Sequence, residues 1–306
     1  MRILLTGASG QVGRALHEPL KSLGTVLVPE RAAFDLSYPD RLSQILDSLS
    51  PDLIINPAAY TAVDRAEDEV DLAFRVNAEA PKILARWAAT NSVPIVHFST
   101  DYVFDGSGQK PWREDDPTCP LSVYGTSKLA GEIGVREIGG VHLVVRTSWV
   151  FSSTGTNFLN TILRLAREQA ELRIVSDQFG APTLARSIAH GIMSIISGSA
   201  SSPMEINMEE IARKFSQVDG LLHMSNAGET NWYGFACAIV EGLRARGFPL
   251  AVREIVPIAT KDYPTRAPRP RNSRLDLTRL DEQFGFQMPH WHDALAYELT
   301  DLVVRF

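Results

Sequence analysis

A tyrosine and a lysine four residues apart, Tyr124 and Lys128, are the pair in this sequence best suited to acid–base chemistry. On a helix this spacing puts both side chains on one face, with their Cβ atoms about 6 Å apart. A phenol has a reference pKa of about 10, and a neighbouring ammonium lowers that pKa. The pair can therefore act as a general acid or base near neutral pH. An ordinary surface helix, with a lysine stem lying on a tyrosine ring, gives the same spacing. The rest of the sequence must therefore show whether this pair belongs to an active site.

A glycine-rich loop separates the first apolar run from the first predicted helix. The first glycine allows a tight turn, the second lets the backbone approach a pyrophosphate, and the third lets helix and strand pack closely. The helix N-terminus adds N–H groups and a positive dipole end. The spacing is GxxGxxG rather than GxGxxG, and its position between strand and helix predicts a dinucleotide site. The candidate cofactor-binding residues of this loop are Gly7, Gly10, Gln11, Val12 and Gly13.

Charged residues after the second predicted strand bear on the choice of cofactor. An acid there can bind the ribose 2′-hydroxyl of NADH, and an arginine can accept the 2′-phosphate of NADPH. Glu30 and Arg31 offer both, so NADH and NADPH both remain open. Asp35, beside Leu36, is placed either to accept a hydrogen bond from an adenine amine or to cap a turn.

The first half of the chain alternates predicted strands and helices. Strands are predicted at residues 2–6, 25–28, 53–56, 94–99 and 141–146, and helices at 14 onwards, 42–49 and 72–90. We expect Pro19 to disturb the first helix, and Pro81 to kink or break the last. The alternation predicts a parallel, doubly wound α/β sheet of the Rossmann type. Residues 1–150 are predicted to form an NAD(P)-binding domain, completed by later segments such as 184–225.

The second half, residues 151–306, is predicted to form a smaller C-terminal α/β domain that covers the crevice and binds substrate. The patterns indicate helices at 157–169, 184–196, 204–217 and 232–246, and strands at 172–176, 221–224 and 252–257. Residues 197–203 are typical of a loop or linker, and the sequence indicates no purpose for the segment 198–217. The late basic cluster suits either a diphosphate or a solvated surface. It consists of Arg266, Arg269, Arg271 and Arg274.

Small and hydroxyl-bearing residues stand at the carboxyl ends of the predicted strands, where open α/β sheets bind their ligands. Four of them follow the third strand and allow a cofactor to lie close. These are Ala58, Ala59, Tyr60 and Thr61. Thr100 ends the next central strand, one loop before Tyr124, although threonine also favours strands for packing reasons. The glycine loop, Thr100 and the Tyr124/Lys128 pair together predict one joint site.

Composition excludes several classes of function. The chain has 306 residues, 44% of them hydrophobic, and a net charge of −6, and we find no run of five basic residues, so nucleic acid is not the expected partner. Cys119 and Cys237 have no metal-binding spacing, and no metal site is predicted. No stretch approaches the ~20 apolar residues of a membrane span. We expect a cytoplasmic protein that does not bind a membrane.

Seven stretches resemble the extended short-chain dehydrogenase/reductase superfamily and, within it, the dTDP-4-dehydrorhamnose reductases. They are residues 5–13, 56–67, 99–104, 124–132, 146–150, 177–183 and 269–275. The resemblance covers nearly the whole chain, and several stretches are specific to the reductases. It implies reduction of the C4 keto group of dTDP-4-dehydro-L-rhamnose by NADPH or NADH, the last step of dTDP-L-rhamnose synthesis. The implied partner is therefore a nucleotide sugar, and a homodimer is possible.

The resemblance also implies a role for each site residue. Tyr124 would donate a proton to the developing alkoxide, Lys128 would lower the pKa of Tyr124 and hold the nicotinamide ribose, and Thr100 would bond the C4 oxygen. The implied sugar-contacting residues are Val63, Thr100, Asp101, Tyr102 and Trp149.

Three related functions are weighed against reduction. Sugar-nucleotide dehydratases carry an Asp-Glu pair after the threonine, whereas Asp101 is followed by Tyr102, so elimination lacks its second acid. Sugar-nucleotide epimerases share the Tyr/Lys pair and differ in the more specific stretches. A catalytically inactive NADP-binding regulatory subunit of methionine adenosyltransferase has a similar fold, but the intact set of Thr100, Tyr124 and Lys128 favours an enzyme.

Overall fold

A computed structural model describes residues 1–198 and 207–304 of the chain. The strands are β1 (Arg2–Leu5), β2 (Thr25–Leu27), β3 (Leu53–Asn56), β4 (Ile95–Thr100), β5 (His142–Thr147), β6 (Val150–Phe151), β7 (Glu171–Val175), β8 (Phe179–Gly180), β9 (Thr183–Leu184), β10 (Leu221–His223), β11 (Thr230–Asn231) and β12 (Glu254–Ile258). The α-helices are α1 (Gln11–Leu20), α2 (Leu42–Leu49), α3 (Val63–Ala66), α4 (Val70–Phe74), α5 (Ala80–Thr90), α6 (Val123–Glu137), α7 (Phe158–Glu168), α8 (Ala185–Ser197), α9 (Met208–Ser216), α10 (Trp232–Ala245), α11 (Thr278–Phe284) and α12 (Trp291–Val304).

Six parallel strands form the central sheet, in the order β10-β5-β4-β3-β1-β2. Every residue of β3 and β4 is buried, as expected for strands that are covered on both faces. The strand order reverses between β1 and β3, and doubly wound sheets bind their ligands at such a switch point. The predicted α/β class with a parallel Rossmann-type sheet is confirmed.

Helices cover both faces of this sheet because side chains alternate along each strand. In β1, Ile3 and Leu5 pack in one apolar cluster with residues of α1, α8 and α9. Leu4, between them, packs in a second cluster with residues of α2 and α5 on the opposite face. The helices on both faces hold the sheet rigidly, and the connecting loops lie at its carboxyl edge.

The predicted helix at 72–90 is interrupted, but before the proline rather than at it. A π-helical turn spans Arg75–Glu79, and α5 then carries Pro81 in its first turn, where a missing N–H is tolerated. Single π-helical turns often mark functional sites. Pro19 likewise lies near the end of α1, and that helix ends at the next residue, Leu20.

Elements of the second half of the chain pack in two separate places. Strand β10 pairs with β5, and α8 lies against α1, so both elements belong to the central sheet and its layers. Helices α7, α10 and α12 share a separate apolar cluster with β7. The division into two domains stays a prediction. Sequence patterns did not indicate α11 or α12, and residues 199–206 of the segment with no predicted purpose lie outside the described residues.

None of the described helices is long and apolar enough to span a bilayer.

Candidate active site

A cavity of about 860 Å³ opens at the carboxyl ends of the central strands. All fifteen residues predicted to bind the cofactor line it, although they come from five separate segments. They are Gly7, Gly10, Gln11, Val12, Gly13, Glu30, Arg31, Asp35, Leu36, Ala58, Ala59, Tyr60, Thr61, Tyr124 and Lys128. The fold therefore brings together the glycine loop and the Tyr/Lys pair.

The glycine loop has the shape that a pyrophosphate requires. Gly7 has φ +56°, and a Cβ on it would lie 2.7 Å from Ala58 Cα. A Cβ on Gly13 would lie 2.2 Å from the Gly7 carbonyl oxygen, so only glycine allows α1 to approach the loop this closely. Helix α1 begins without a side-chain cap at Gly10, which leaves its first N–H groups for an anion.

Two buried hydroxyls add to this fit. Ser99 and Thr147 line the cavity, and their hydroxyl oxygens have no hydrogen-bond partner within the described part of the chain. An unpaired buried hydroxyl costs free energy that a polar ligand would recover. The cavity therefore fits a ligand with a charged diphosphate at one end and hydrogen-bonding groups near Lys128.

The side chain of Gln11 is already engaged within the protein. Its amide nitrogen donates to the Val150 carbonyl over 3.2 Å, and its oxygen accepts from Ser152 Oγ over 3.1 Å and from Asn157 Nδ2 over 2.8 Å. It ties the start of α1 to the segment after β5. Only its backbone N–H is in a position to serve a phosphate.

The residues bearing on cofactor choice differ in how firmly they are held. Asp35 Oδ1 accepts from both the N–H and the hydroxyl of Ser37, as in the predicted turn, while the residue still lines the cavity. Burial acts to raise the pKa of Asp35, but the Ser37 hydrogen bonds and the Arg31 charge outweigh it and lower that pKa. The Arg31 side chain is 85% exposed, with Nε 3.9 Å from Asp35 Oδ2, and is free to reorient.

Helix α6 carries the Tyr/Lys pair, and Ser122 caps its N-terminus by accepting from Gly125 N–H. Lys128 is 2% exposed and donates from Nζ to the Phe98 carbonyl on β4 over 2.6 Å. Burial lowers the pKa of Lys128 to about 7, and the Glu132 charge partly opposes this. Burial thus disfavours the charged form of Lys128.

The acidity of Tyr124 differs from the expectation. Burial raises its pKa to about 12, a hydrogen bond with Thr100 acts to lower it, and the Asp101 charge raises it further. Lys128 was expected to lower the pKa of Tyr124, but it does not determine that pKa. Desolvation has the largest effect on the pKa of Tyr124, and Lys128 bonds the Phe98 carbonyl instead.

Beside Tyr124 stands the end of β4. The Thr100 hydroxyl donates to Asp101 Oδ1 over 3.1 Å and accepts from Tyr102 N–H over 3.2 Å. The Tyr102 ring meets the Tyr124 ring edge-on, with centroids 5.5 Å apart. Burial raises the pKa of Asp101 to about 7.

Among the described residues that line the cavity, none of the five predicted sugar contacts is found. Thr100, Asp101 and Tyr102 instead lie beside Tyr124, outside the lining of the cavity. Trp149 has φ +49°, which is unusual for a bulky residue, and its ring stacks on Trp232 with centroids 3.6 Å apart. Val63 begins α3 and is half-buried.

Sequence patterns missed Asn77, which lies in the π-helical turn. Its amide accepts from Tyr60 N–H over 2.8 Å, donates to the Tyr60 carbonyl over 3.0 Å and donates to Ser127 Oγ over 3.0 Å. Ser127 Oγ donates in turn to the Tyr124 carbonyl. This fully buried side chain therefore couples the cofactor-facing loop to the helix of the Tyr/Lys pair. Its only sequence signal was its nearness to Pro81.

The late arginines are neither free cations nor a single cluster. Each pairs with an acid on another segment: Arg266 with Asp68, Arg269 with Asp64, Arg271 with Asp177 and Arg274 with Glu229. The segment 266–274 is thus fastened across the carboxyl edge of the sheet.

Together, the parallel sheet, the glycine loop at its switch point and the Tyr/Lys pair in the same cavity define a dinucleotide-dependent oxidoreductase of the short-chain type. The sequence matches the family described as RmlD substrate binding domain over residues 1–304. The chain belongs to this family.

Similar proteins agree with this assignment. A dTDP-4-dehydrorhamnose reductase of Burkholderia thailandensis is 48% identical, with 99% of each chain covered. One of Escherichia coli K12 is 39% identical over 99% of this chain and 98% of its own. The solved structure from Clostridium acetobutylicum has a TM-score of 0.87 at 33% identity, covering 99% of both chains. The one from Bacillus anthracis, in complex with NADP, has a TM-score of 0.85 at 31% identity, covering 98% of this chain and 99% of its own. The resemblance drawn from the sequence is confirmed.

Proposed function

We propose that this chain reduces the C4 keto group of dTDP-4-dehydro-L-rhamnose with NADPH or NADH, giving dTDP-L-rhamnose as the last step of its synthesis. The observation that carries the proposal is that Tyr124 and Lys128 line the same cavity as the glycine loop. Curated relatives of this name, similar over the full length, support the substrate.

In this proposal each residue of the pair has one task. Tyr124 donates its proton to the oxygen that becomes the C4 hydroxyl, while Thr100 holds that oxygen in place. Lys128, anchored on the Phe98 carbonyl, holds the ribose hydroxyls beside Tyr124. The nicotinamide, when bound, supplies the hydride. Burial of the site strengthens each of these hydrogen bonds.

The sugar is proposed to lie on the far side of Tyr124 from the glycine loop. Val63, Asp101, Tyr102 and Trp149 are its proposed contacts. The edge-on contact of Tyr102 with Tyr124 and the strained backbone of Trp149 support this placement, since backbone strain is common at ligand sites. Trp232, stacked behind Trp149, holds that ring in its orientation.

Nicotinamide absorbance tests the proposal directly. The purified chain is mixed with dTDP-4-dehydro-L-rhamnose and either NADPH or NADH, and we expect oxidation of at least one of them. Absence of oxidation above background with both would refute the reductase. Product analysis that found an inverted sugar without net oxidation of the cofactor would indicate an epimerase instead.

Replacing Tyr124 by Phe removes the proposed proton donor and keeps the ring. We expect kcat to fall by about 10²–10⁴-fold, as for loss of a general acid, while NADPH affinity stays within about three-fold. Fluorescence titration of NADPH provides the control. Equal loss of binding and turnover would mean that Tyr124 acts structurally.

Three further statements are proposals of the same kind. The chain consists of a dinucleotide-binding part, residues 1–150 with segments such as 184–225, and a sugar-binding part. It is cytoplasmic, where its nucleotide-sugar substrate would be made. It forms a homodimer, which light scattering after gel filtration measures.

A further inference from the structure

The segment of residues 152–156, which follows β6, forms part of the wall of the cofactor cavity. Thr154, Gly155 and Thr156 line the same cavity as the glycine loop. None of the three belongs to the residues that the sequence predicts to bind the cofactor, and the roles proposed above do not use them. The segment comes from the half of the chain that is proposed to bind the sugar.

Gln11 of the glycine loop holds this segment at both of its ends. Its Nε2 donates to the Val150 carbonyl over 3.2 Å, and its Oε1 accepts from Asn157 Nδ2 over 2.8 Å. Gln11 is the first residue of α1, and a dinucleotide fold binds the cofactor pyrophosphate at the N-terminus of this helix. The 152–156 segment is therefore fastened beside the position of the pyrophosphate.

A buried carboxylate on α12 holds the middle of the segment. Glu298 is 2% exposed, and its Oε1 accepts from the Ser153 N–H over 2.5 Å. Its Oε2 lies 3.5 Å from Arg186 Nη2, which offsets the charge. Glu298 is not among the described residues that line the cavity, so its carboxylate is turned to Ser153 and Arg186 and not to a bound ligand.

The carbonyl groups of the segment are bonded, whereas its donors are free. The Thr154 carbonyl accepts from Asn157 Nδ2 over 3.2 Å, and the Gly155 carbonyl accepts from Asn160 Nδ2 over 2.9 Å. Within the described part of the chain, the N–H groups of residues 154–156 and the hydroxyls of Thr154 and Thr156 have no hydrogen-bond partner. A wall whose free groups can all donate hydrogen bonds suits an anion.

We propose that Thr154 and Thr156 are cofactor-binding residues whose hydroxyls, together with the N–H groups of the 152–156 segment, bind the pyrophosphate of NADPH or NADH. The glycine loop and the N-terminus of α1 bind the same pyrophosphate from their own wall of the cavity. Gln11 and Glu298 are positioning residues that hold the segment in place. This inference rests on the proposed function, which requires a bound nicotinamide cofactor.

The double variant Thr154→Val/Thr156→Val removes both hydroxyls and keeps the shape of the side chains. We expect the Kd for NADPH, measured by fluorescence titration without sugar, to rise about 10–100-fold, as for lost hydrogen bonds to a charged group. ADP-ribose, which carries the pyrophosphate, should lose affinity by a similar factor when it displaces NADPH. Adenosine, which has no phosphate, should bind within about two-fold of its affinity for the natural chain. Thr90→Val, at an exposed threonine that ends α5, is the matched control and should change none of these values.

Variants of Glu298 test the positioning role. Glu298→Leu removes the acceptor of the Ser153 N–H, and we expect KM for the cofactor to rise about ten-fold while kcat stays within about two-fold. Glu298→Gln keeps an acceptor oxygen at the same place and should restore most of the affinity. A purely structural role would instead lower kcat and the melting temperature together and would not show the rescue by glutamine.

The inference is overturned if the double threonine variant binds NADPH and ADP-ribose within about two-fold of the natural chain. It is also overturned if adenosine loses as much affinity as ADP-ribose, because the damage would then not concern the pyrophosphate. Failure of the proposed function gives a different result: the natural chain would bind the cofactor, with the expected loss in the threonine variant, but would not oxidise it with the sugar.

Discussion

Glu132 and Arg146 form a buried ion pair behind Lys128. Neither residue touches the cofactor or the sugar in our proposal, yet we predict a large effect when Glu132 is replaced. Arg146 on β5 is 2% exposed and meets Glu132 of α6 through two nitrogens, one of them Nε at 3.0 Å from Oε2. Its third nitrogen donates to the Glu114 carbonyl. The guanidinium also lies 5.0 Å from the centre of the Phe104 ring.

Glu132→Gln keeps the shape of the side chain and removes its charge. Removing one partner of a buried pair leaves the other charge uncompensated, at a cost of about 3–5 kcal/mol. For a chain of 306 residues, an unfolding entropy of about 2.1 cal/mol/K per residue means that each kcal/mol lowers Tm by roughly 1.6 °C, so we expect a loss of roughly 5–8 °C. The same change removes the charge that supports the Lys128 ammonium, so the pKa of Lys128 falls below about 7.

Thermal unfolding by circular dichroism measures the first effect, and the pH dependence of kcat measures the second. The control is the double variant Glu132→Leu/Arg146→Met, because apolar replacement of a whole buried pair is often neutral or stabilising. A loss of under about 1 kcal/mol in Glu132→Gln, or a double variant less stable than the single one, would refute the reasoning about the uncompensated charge.

Four other substitutions concern the cavity and its neighbourhood. Gly13→Ala places a Cβ 2.2 Å from the Gly7 carbonyl, and we expect a loss of at least about 1–3 kcal/mol in unfolding free energy and weaker NADPH binding. Gly10→Ala, whose Cβ would be 3.2 Å from that oxygen, should weaken binding and leave stability nearly unchanged; calorimetry measures both. As pH rises from about 4 to 7, Asp101→Asn should gain stability relative to the natural chain, by up to about 4 kcal/mol in unfolding free energy. The reason is that the folded carboxyl binds its proton more tightly than the unfolded one. Urea unfolding of both proteins at each pH measures this difference in stability, and a difference that stays constant with pH would contradict the prediction. Arg31→Ala should raise KM for NADPH by about ten-fold with KM for NADH unchanged, and equal effects on both would exclude Arg31 as a 2′-phosphate ligand.

The cofactor side of the site could be predicted from the sequence because its signals are local. Each of its segments follows a strand end, and the parallel sheet places all such ends at one edge. Gly7 and Gly13 are needed by backbone contacts that any closely packed strand–loop–helix unit must make. The fifteen predicted residues therefore came together around one cavity.

The rest of the site depends on contacts between segments far apart in sequence. The stack of Trp149 on Trp232 joins residues 83 positions apart, and Asn77 joins Tyr60 to Ser127. Neither contact has a periodicity or a spacing that a sequence pattern could show. The same holds for the late arginines, whose partners lie up to 205 positions away.

The helical spacing of Tyr124 and Lys128 misleads most about the acidity of Tyr124. A Tyr/Lys pair at helical spacing predicts a lowered tyrosine pKa if the lysine is charged and faces the phenol. Burial weakens the first condition, since it lowers the pKa of Lys128 to about 7. Burial also raises the pKa of Tyr124 to about 12. The second condition fails because Lys128 donates to the Phe98 carbonyl. Thr100 acts against burial and lowers the pKa of Tyr124, but its effect is the smaller one. The spacing of Tyr124 and Lys128 therefore predicts that the two side chains share one site, whereas their acidity is governed mainly by burial, which no spacing can show.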